Sequence, residues 1–271
     1  MLNVNALGLP FKPLVCNHPA PVLDGCVLYL DGRYGCNDPA TQTWYDLSGM
    51  GNDGTLNNFA YVEGSGWTGK GLQFDGVDDY VKLSKRPTFS DFTLEITFKP
   101  YTTTKNYQGL FVYRKNTQGA RIGLFLNENK LYWEISSDRR IGNLVGTFSA
   151  ITVVNDNTYT VFLKRESDGK IYIFFNEDKY YLGLCEGNFT DFDTDILIGN
   201  QSTITDQYAN CEFKIVRFYN RALTDAEITQ NYLASRCIMP LRHIDNPTTP
   251  VEILQNYLAT VNRHLFDYSK E

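Results

Sequence analysis

Alternating apolar and polar residues indicate β-structure in the middle of the chain. In the segment FTLEITFK, which starts at Phe92, every second residue is apolar, and the residues between them, such as Glu95, are mostly polar. Alternate residues of a strand point to opposite faces of the sheet. The segment therefore predicts a strand with one face in the core and one face towards water.

Similar short segments follow along the chain, separated by Gly, Asn and Asp. GLFVYR, RIGLFLN and KLYWEIS predict strands, and TYTVFLKRESDGKIYIFFN predicts a hairpin that turns near Asp168 and Gly169, because this dipeptide tolerates positive φ. About eleven short strands with turn signals between them are typical of a sandwich or jelly roll. The pattern predicts an all-β fold of two antiparallel sheets.

The strand signals stop at Tyr219, and helix signals follow. Residues 224–227 (TDAE) and 249–252 (TPVE) both have the form of a capping box, in which a Thr hydroxyl and a Glu side chain satisfy the first free N–H groups of a helix. In the second box, Pro occupies a position that the first helical turn tolerates. The C-terminal region is therefore predicted to contain two short helices.

The two predicted helices share a sequence. AEITQNYLAS at 226–235 and VEILQNYLAT at 251–260 differ at three of ten positions. One interpretation is a duplicated helix that packs beside the first, as short terminal helices usually do. The other is a second copy that docks onto an equivalent groove of a neighbouring subunit, with Glu252, Ile253, Tyr257 and Leu258 as its docking residues.

These signals divide the chain into three parts: a proline-containing N-terminal arm at 1–22, a β-sandwich at 23–236 and a helical extension at 237–271. Aromatic residues make up 14% of the chain, which favours strands and also supplies rigid amphipathic contact surface for recognition.

Charge and hydropathy exclude several classes of partner. The net charge is −6, and no Lys/Arg cluster stands out, which argues against nucleic acid. No apolar run is long enough to cross a membrane. The first twenty residues contain no charged leader followed by an apolar core, so we expect no signal peptide.

The six cysteines include no CxxC pair, which argues against a zinc site. Without an export signal, buried free thiols are expected. Disulfides formed after release into an oxidising medium are the alternative.

Three segments carry a resemblance to a known family: WYDLSGMGNDGTL, FDGVDDYV and FYNRALTDAEITQNY. Together they resemble the concanavalin A-like lectin/laminin-G superfamily over about residues 22 to 236. The similarity is close to the variety found in bacterial surface proteins and in structural proteins of tailed bacteriophages. The resemblance implies a concanavalin A-like jelly roll.

Some members of this superfamily bind Ca²⁺ near a loop rim and use the ion to hold sugars. The resemblance therefore makes Asp75, Asp78 and Asp79 candidate Ca²⁺ ligands, together with Asp46 and Asp53 from the preceding loop, since carboxylate oxygens suit this ion. The alternative is turn chemistry, because Asp beside Gly is common in tight turns.

Other members are glycoside hydrolases that carry two carboxylates in an E-x-D-x-x-E run, a spacing that suits retaining chemistry. This chain has no such run, and its three histidines lie in the terminal extensions. We therefore predict that it is not an enzyme.

Aromatic residues are better candidates for ligand contact, because their rings can stack on sugar faces. The candidates are Trp67, Tyr101, Tyr107, Tyr132 and Trp133. For any one of them, the alternative is packing in the core.

The resulting hypothesis is a non-catalytic virion protein of a tailed phage, such as a capsid decoration, fibre or baseplate component. It would be made in the host cytoplasm, form a homo-oligomer, contact other virion proteins through its terminal arms, and adhere to glycans through the lectin-like domain. The alternatives are a free-standing bacterial carbohydrate-binding module and, less favoured, a glycoside hydrolase.

Overall fold

The computed structural model describes residues 19–34, 42–83, 89–114, 120–137, 143–148, 152–189, 195–201 and 207–236. These residues contain sixteen strands and one α-helix. The first eight strands are β1 (Cys26–Asp31), β2 (Thr43–Trp44), β3 (Gly54–Asn57), β4 (Gly66–Trp67), β5 (Leu72–Asp75), β6 (Tyr80–Leu83), β7 (Phe92–Pro100) and β8 (Gln108–Arg114).

The remaining elements are β9 (Arg121–Asn127), β10 (Lys130–Ser136), β11 (Asn143–Phe148), β12 (Tyr159–Arg165), β13 (Lys170–Phe175), β14 (Asp178–Leu184), β15 (Ile196–Ile198), β16 (Asn210–Tyr219) and α1 (Asp225–Arg236). Within the described part of the chain, no helix is long and apolar enough to cross a membrane.

The strands form two antiparallel sheets, as the sequence pattern predicted. Sheet I has the order β14-β13-β12-β7-β16-β5-β4, and β1 also pairs with β16. Sheet II has the order β11-β10-β9-β8-β15-β6-β3-β2. The predicted hairpin is present between β12 and β13, and Gly169 adopts a φ of +84° in its turn.

The main core lies between the two sheets. Phe218 of sheet I stacks on Phe111 of sheet II, with ring centroids 5.9 Å apart and planes 9° from parallel. Phe74 is fully buried in the same core. Burial of this apolar surface is the main driving force for closing the sandwich.

A second apolar cluster lies on the outer face of sheet I, beneath α1. Ile228 and Tyr232 of the helix pack there with Phe162, Phe174 and Tyr219 of the sheet. The helix begins with the predicted capping box: Thr224 Oγ1 accepts the Glu227 N–H at 3.2 Å, and the Glu227 carboxylate accepts the Thr224 N–H at 2.8 Å. The second predicted helix lies outside the described residues.

The prediction of a wet outer face for β7 is wrong. Thr93, Glu95 and Thr97 are 0–2% exposed, because α1 covers this side of sheet I. Glu95 forms an ion pair with Arg217 at 2.8 Å and accepts a hydrogen bond from the Asn231 amide of α1 at 3.0 Å. The polar side chains on this face of β7 therefore form their hydrogen bonds and ion pair within the protein instead of with water.

The described cysteines agree with the expectation of free thiols. Cys26, Cys185 and Cys211 are buried free cysteines. Burial raises the pKa of each thiol, to about 12 for Cys26. Cys16, Cys36 and Cys237 lie outside the described residues.

Candidate functional site

Three loops meet at one end of the sandwich and form a rim. Lys105, between β7 and β8, donates from Nζ to the Gly76 carbonyl oxygen at 2.6 Å. Asn210, at the start of β16, donates from Nδ2 to the Asp75 carbonyl oxygen at 2.7 Å. The turn between β9 and β10 joins through the Asn129 N–H, which donates to the Thr103 carbonyl oxygen at 2.9 Å. The acidic turn at residues 75–79 is thereby fixed to the loop at 101–107, which carries Tyr101 and Tyr107.

The acidic turn brings together the three candidate carboxylates. One carboxylate oxygen from each of Asp75, Asp78 and Asp79 lies within 4.8 Å of the others. Asp75 Oδ1 accepts the Val77 N–H at 2.7 Å and the Asp78 N–H at 3.3 Å, so this side chain also stabilises the turn. Asp78 is exposed, Asp75 is half-buried and Asp79 is buried.

Asp79 is the least satisfied group of the three. Its Oδ2 accepts the Asp75 N–H at 2.9 Å, but its buried Oδ1 accepts no hydrogen bond from the described residues. Burial raises the pKa of Asp79 to about 6. Hydrogen bonds from the Ser65 side chain and the Asp75 N–H oppose this rise, and the neighbouring Asp75 and Asp78 charges add smaller increases. A buried carboxylate in this situation favours either a proton or a cation.

The donor set fits a hard cation. Three carboxylates supply oxygen ligands of the kind that Ca²⁺ prefers, and an ion that takes six to eight ligands would leave positions for water or a bound hydroxyl. Calcium at this turn stays a prediction, and the hydrogen bonds of Asp75 show that turn chemistry accounts for part of the arrangement.

Asp46 and Asp53 serve a different loop. The Asp46 carboxylate accepts the N–H groups of Tyr29 and Asn52, each at 2.8 Å, and Asp53 accepts the N–H of Asp46, also at 2.8 Å. Within the described residues, the grouped carboxylates are only those of the acidic turn. For Asp46 and Asp53, the turn interpretation is therefore the better one.

Two of the five candidate aromatic residues form a pair at the rim. The rings of Tyr107 and Tyr132 meet edge to face with centroids 5.1 Å apart, and both residues are half-buried. Tyr132 also contacts Phe125, with centroids 5.8 Å apart. Tyr101 lies at the end of β7 and is half-buried, with Lys99 Nζ 4.8 Å from its ring centroid.

The two tryptophans lie elsewhere. Trp67 is on the edge strand β4, where it contacts Trp44 edge-on at 5.9 Å and lines a cavity of about 370 Å³ with Tyr61 and Gln73. Trp133 is 7% exposed and packs between the sheets. This corrects its interpretation as a sugar-stacking residue, because its ring belongs to the core.

The docking residues Glu252, Ile253, Tyr257 and Leu258 lie outside the described part of the chain. Their sequence counterparts in α1 are described. Ile228 and Tyr232 are 2% and 6% exposed against sheet I, and Leu233 packs at the border of the same cluster.

Sequence reasoning did not identify Lys105 as a rim residue. Lys105 and Gly76 are 29 positions apart, and no local pattern indicates that their loops meet. The loop signals around both residues were visible, but their pairing depends on the order of the strands in the two sheets.

Comparison with known proteins places this architecture in a wider group. The family model described as the Concanavalin A-like lectin/glucanases superfamily matches residues 75–229, which is more than half of the chain. No curated protein sequence matches the chain.

Several solved structures share the fold. Trypanosoma rangeli sialidase in complex with 2,3-difluorosialic acid is 17% identical with a TM-score of 0.61, covering 82% of this chain and 35% of the sialidase. The botulinum neurotoxin serotype D binding domain is 13% identical with a TM-score of 0.59, covering 78% of this chain and 52% of the toxin chain. A Trypanosoma rangeli sialidase mutant displaying trans-sialidase activity is 18% identical with a TM-score of 0.58, covering 79% of this chain and 34% of that one.

These similarities concern the fold alone, and this chain spans about a third of the sialidases and about half of the toxin domain structure. They nevertheless correct the prediction that the chain is not an enzyme. Sialidases are among the similar structures, and the family description includes glucanases. The fold is common to catalytic and binding proteins, so the missing E-x-D-x-x-E run does not exclude catalysis.

Proposed function

The chain belongs to the concanavalin A-like lectin/glucanase superfamily, and we propose that it binds carbohydrate at the rim. The observation that carries this proposal is the contact between the acidic turn and the loop at 101–107, in which Lys105 Nζ donates to the Gly76 carbonyl oxygen at 2.6 Å. The Tyr107–Tyr132 ring pair, shared between this loop and β10, and the carboxylates of the acidic turn offer the two kinds of contact that a sugar needs.

The chemistry of the two parts is complementary. The half-buried rings of Tyr107 and Tyr132 can contact the apolar face of a pyranose. The exposed Asp78 carboxylate can accept hydrogen bonds from sugar hydroxyls. Similar structures support this use of the fold, since one sialidase structure contains a sialic acid derivative and the toxin structure is that of a binding domain.

Calcium would strengthen such a site. An ion held by Asp75, Asp78 and Asp79 would neutralise the buried Asp79 carboxylate and leave coordination positions for sugar hydroxyls. We expect Ca²⁺ to raise the melting temperature of the wild-type protein, since a ligand that binds only the folded state stabilises it. Asp79→Asn should abolish this shift, and an equal shift in both proteins would place the ion elsewhere.

A glycan array with the full chain tests the proposal, first with calcium and then with chelator. We expect binding that Tyr132→Ala weakens about tenfold or more, in line with the loss of one aromatic contact. Tyr181→Ala is the matched control, because Tyr181 is a 58% exposed tyrosine on β14 of sheet I. Absence of binding in both conditions, or equal weakening by both variants, would contradict the rim as the site.

The setting that we propose is the virion of a tailed phage, where many copies on one particle multiply weak sugar contacts. The support is the similarity of the three sequence segments to phage structural proteins. Assembly with other virion proteins through the terminal arms belongs to the same proposal.

The repeated helix sequence supports self-association in this setting. Two of the three differences between 226–235 and 251–260 fall at Ala226 and Thr229, which are exposed in α1, and the third replaces Ser235 by a residue that keeps its hydroxyl. The side chains that hold α1 on sheet I, Ile228, Asn231 and Tyr232, are all present in the second copy. We propose that 251–260 docks onto an equivalent groove of a neighbouring copy of the chain, as α1 docks on sheet I.

Light scattering coupled to size exclusion tests this association. Asn256→Ala combined with Tyr257→Ala should convert an oligomer to monomer without lowering the melting temperature of the sandwich. Thr260→Ser, which restores the α1 residue, is the control and should keep the oligomer. A wild-type monomer, or an oligomer that survives the double variant, would contradict the proposal.

A further inference from the structure

A second cavity lies on the outer face of sheet I, beside the C-terminal end of α1. Its volume is about 480 Å³, within the range of small-molecule sites. Thr97 of β7 and Thr160 of β12 line it from the sheet, and Tyr232 and Ser235 line it from the helix. None of the rim residues contributes to it.

The charged side chains among the described lining residues are all cationic. The described lining residues include four cationic side chains and no carboxylate: Arg33, Lys70, Lys214 and Arg236. Arg33 forms an ion pair with the buried Asp31 at 2.6 Å and donates to the Ser235 carbonyl oxygen at 3.0 Å. It is therefore held rigidly against the end of the helix.

The burial of Lys214 and the neighbouring cations affect its pKa. Its side chain is half-buried, and Nζ donates to Thr158 Oγ1 at 3.1 Å. Burial lowers its pKa, and the charges of Lys99, Arg33 and Lys70 lower it further, although Glu212 acts in the opposite direction. An anion in the cavity would relieve both the repulsion and the incomplete solvation of this ammonium group.

The floor of the cavity is built from hydroxyl groups. Thr97 Oγ1 and Thr160 Oγ1 are 3.0 Å apart, and Thr160 Oγ1 and Ser235 Oγ are 3.3 Å apart. Ser235 Oγ donates to the Tyr232 carbonyl oxygen at 2.7 Å, which fixes the direction of donation along this series of hydroxyl groups. Asn176 lies beside it, and its Oδ1 accepts the Thr160 N–H at 3.1 Å.

We propose that this cavity binds one anionic sugar unit, a monosaccharide that carries a carboxylate or a sulfate. The anionic group lies beside Lys214 and Lys70, where the described lining includes no carboxylate, and the sugar hydroxyls face the Thr97–Thr160–Ser235 floor and the Asn176 amide. A bare inorganic anion would not use the remaining hydrogen-bonding capacity of these hydroxyl and amide groups, and a neutral sugar would leave the ammonium groups of Lys214 and Lys70 without an anion.

Calorimetry with the full chain tests this site. The ligands are glucuronic acid, N-acetylneuraminic acid, glucose 6-sulfate, glucose and inorganic sulfate. We expect at least one acidic sugar to bind about tenfold or more tightly than both glucose and inorganic sulfate, because charge-assisted hydrogen bonds are the strong ones. The carboxylated and sulfated sugars distinguish the two possible anionic groups. Binding should weaken as salt increases.

Substitutions distinguish binding in this cavity from binding to basic residues elsewhere on the surface. Lys70→Gln and Lys214→Gln should each weaken the acidic sugar about fivefold to tenfold. Lys70 is exposed, so its variant tests the site even if Lys214→Gln lowers stability. Lys170→Gln is the control, since Lys170 is an exposed lysine paired with Asp168 at 2.6 Å, and it should leave affinity unchanged.

The inference stands apart from the rim proposal, because Tyr132→Ala should leave acidic-sugar binding at the cavity unchanged. Equal affinity for glucose and the acidic sugars, equal affinity for inorganic sulfate and the acidic sugars, or no binding of any acidic sugar would each overturn it.

Discussion

Replacing Arg217 by Met should destabilise the protein more than any substitution on its exposed surface. Arg217 of β16 lies directly opposite Glu95 of β7. Both side chains are 0% exposed, and Nη1 is 2.8 Å from Oε1. The variant would leave the Glu95 carboxylate buried, with the Asn231 amide at 3.0 Å as its described side-chain donor.

The expected cost is about 3–5 kcal/mol, the usual effect of removing one partner from a buried ion pair. Whole domains are stable by only about 5–15 kcal/mol, so roughly a fifth or more of the stability would be lost. Glu95→Gln should cost less, because Arg217 would keep the Tyr29 ring, 4.3 Å from its guanidinium carbon, and the Tyr29 hydroxyl at 3.0 Å.

The deficit should depend on pH. Burial raises the pKa of Glu95 above its ordinary value of 4.5, and the Arg217 charge is the largest opposing influence. Without Arg217 the pKa rises further. A carboxyl group whose pKa is raised in the folded state contributes its full stability below its unfolded pKa, and that stability is lost as pH rises through the folded value. The Arg217→Met deficit should therefore shrink as pH falls from 8 to 5.

Guanidinium unfolding followed by tryptophan fluorescence at pH 8, 6.5 and 5 measures this deficit, with wild type and Glu95→Gln in parallel. The reasoning is refuted if Arg217→Met costs less than about 1 kcal/mol at pH 8, far below the usual range. It is also refuted if the deficit stays constant across this pH range.

Three further predictions concern α1 and the cysteines. Thr224→Ala should lower the free energy of unfolding by about 1 kcal/mol in the same assay, as the loss of an N-cap usually does. Thr224→Ser should retain most of the wild-type stability. The hydrogen bond from Arg221 holds the pKa of Glu227 at about 2, below its ordinary 4.5. The stability that Glu227 contributes is therefore complete above pH 4.5 and lost as pH falls through about 2. The melting temperature of Glu227→Gln should depend less on pH between 4.5 and 2 than that of the wild type. With Cys16, Cys36 and Cys237 replaced by Ser, the native protein should react with a thiol reagent far more slowly than the unfolded protein, since thiolates are the reactive form and the remaining thiols are buried with raised pKa values. Fast native reaction would contradict that burial.

Local patterns in the sequence were sufficient for the elements themselves. The alternation from Phe92 to Phe98 predicted a strand, the TDAE box predicted the start of α1, and the Asp168–Gly169 pair predicted a hairpin turn. Each of these signals acts between residues a few positions apart, where backbone geometry and short-range hydrogen bonds decide the structure.

The faces of the strands were less predictable. Tyr132 and Trp133 are adjacent, so a strand must point them to opposite sides, but the sequence did not indicate which of them faces the core. Glu95 looked like a residue for the wet side of a sheet. Only the docking of α1 shows that this side is buried and that Arg217 and Asn231 compensate the charge.

The sequence by itself determined the fold class, the start of the first C-terminal helix and the acidic composition of the turn at 75–79. The tertiary structure decided that this turn meets the loop of Lys105, and that Lys70, Lys214 and Arg236 surround one cavity. The physical reason is the distance along the chain. Strand order in a two-sheet sandwich is decided by the packing of the whole core, so the neighbours of each loop depend on pairings that no local pattern records.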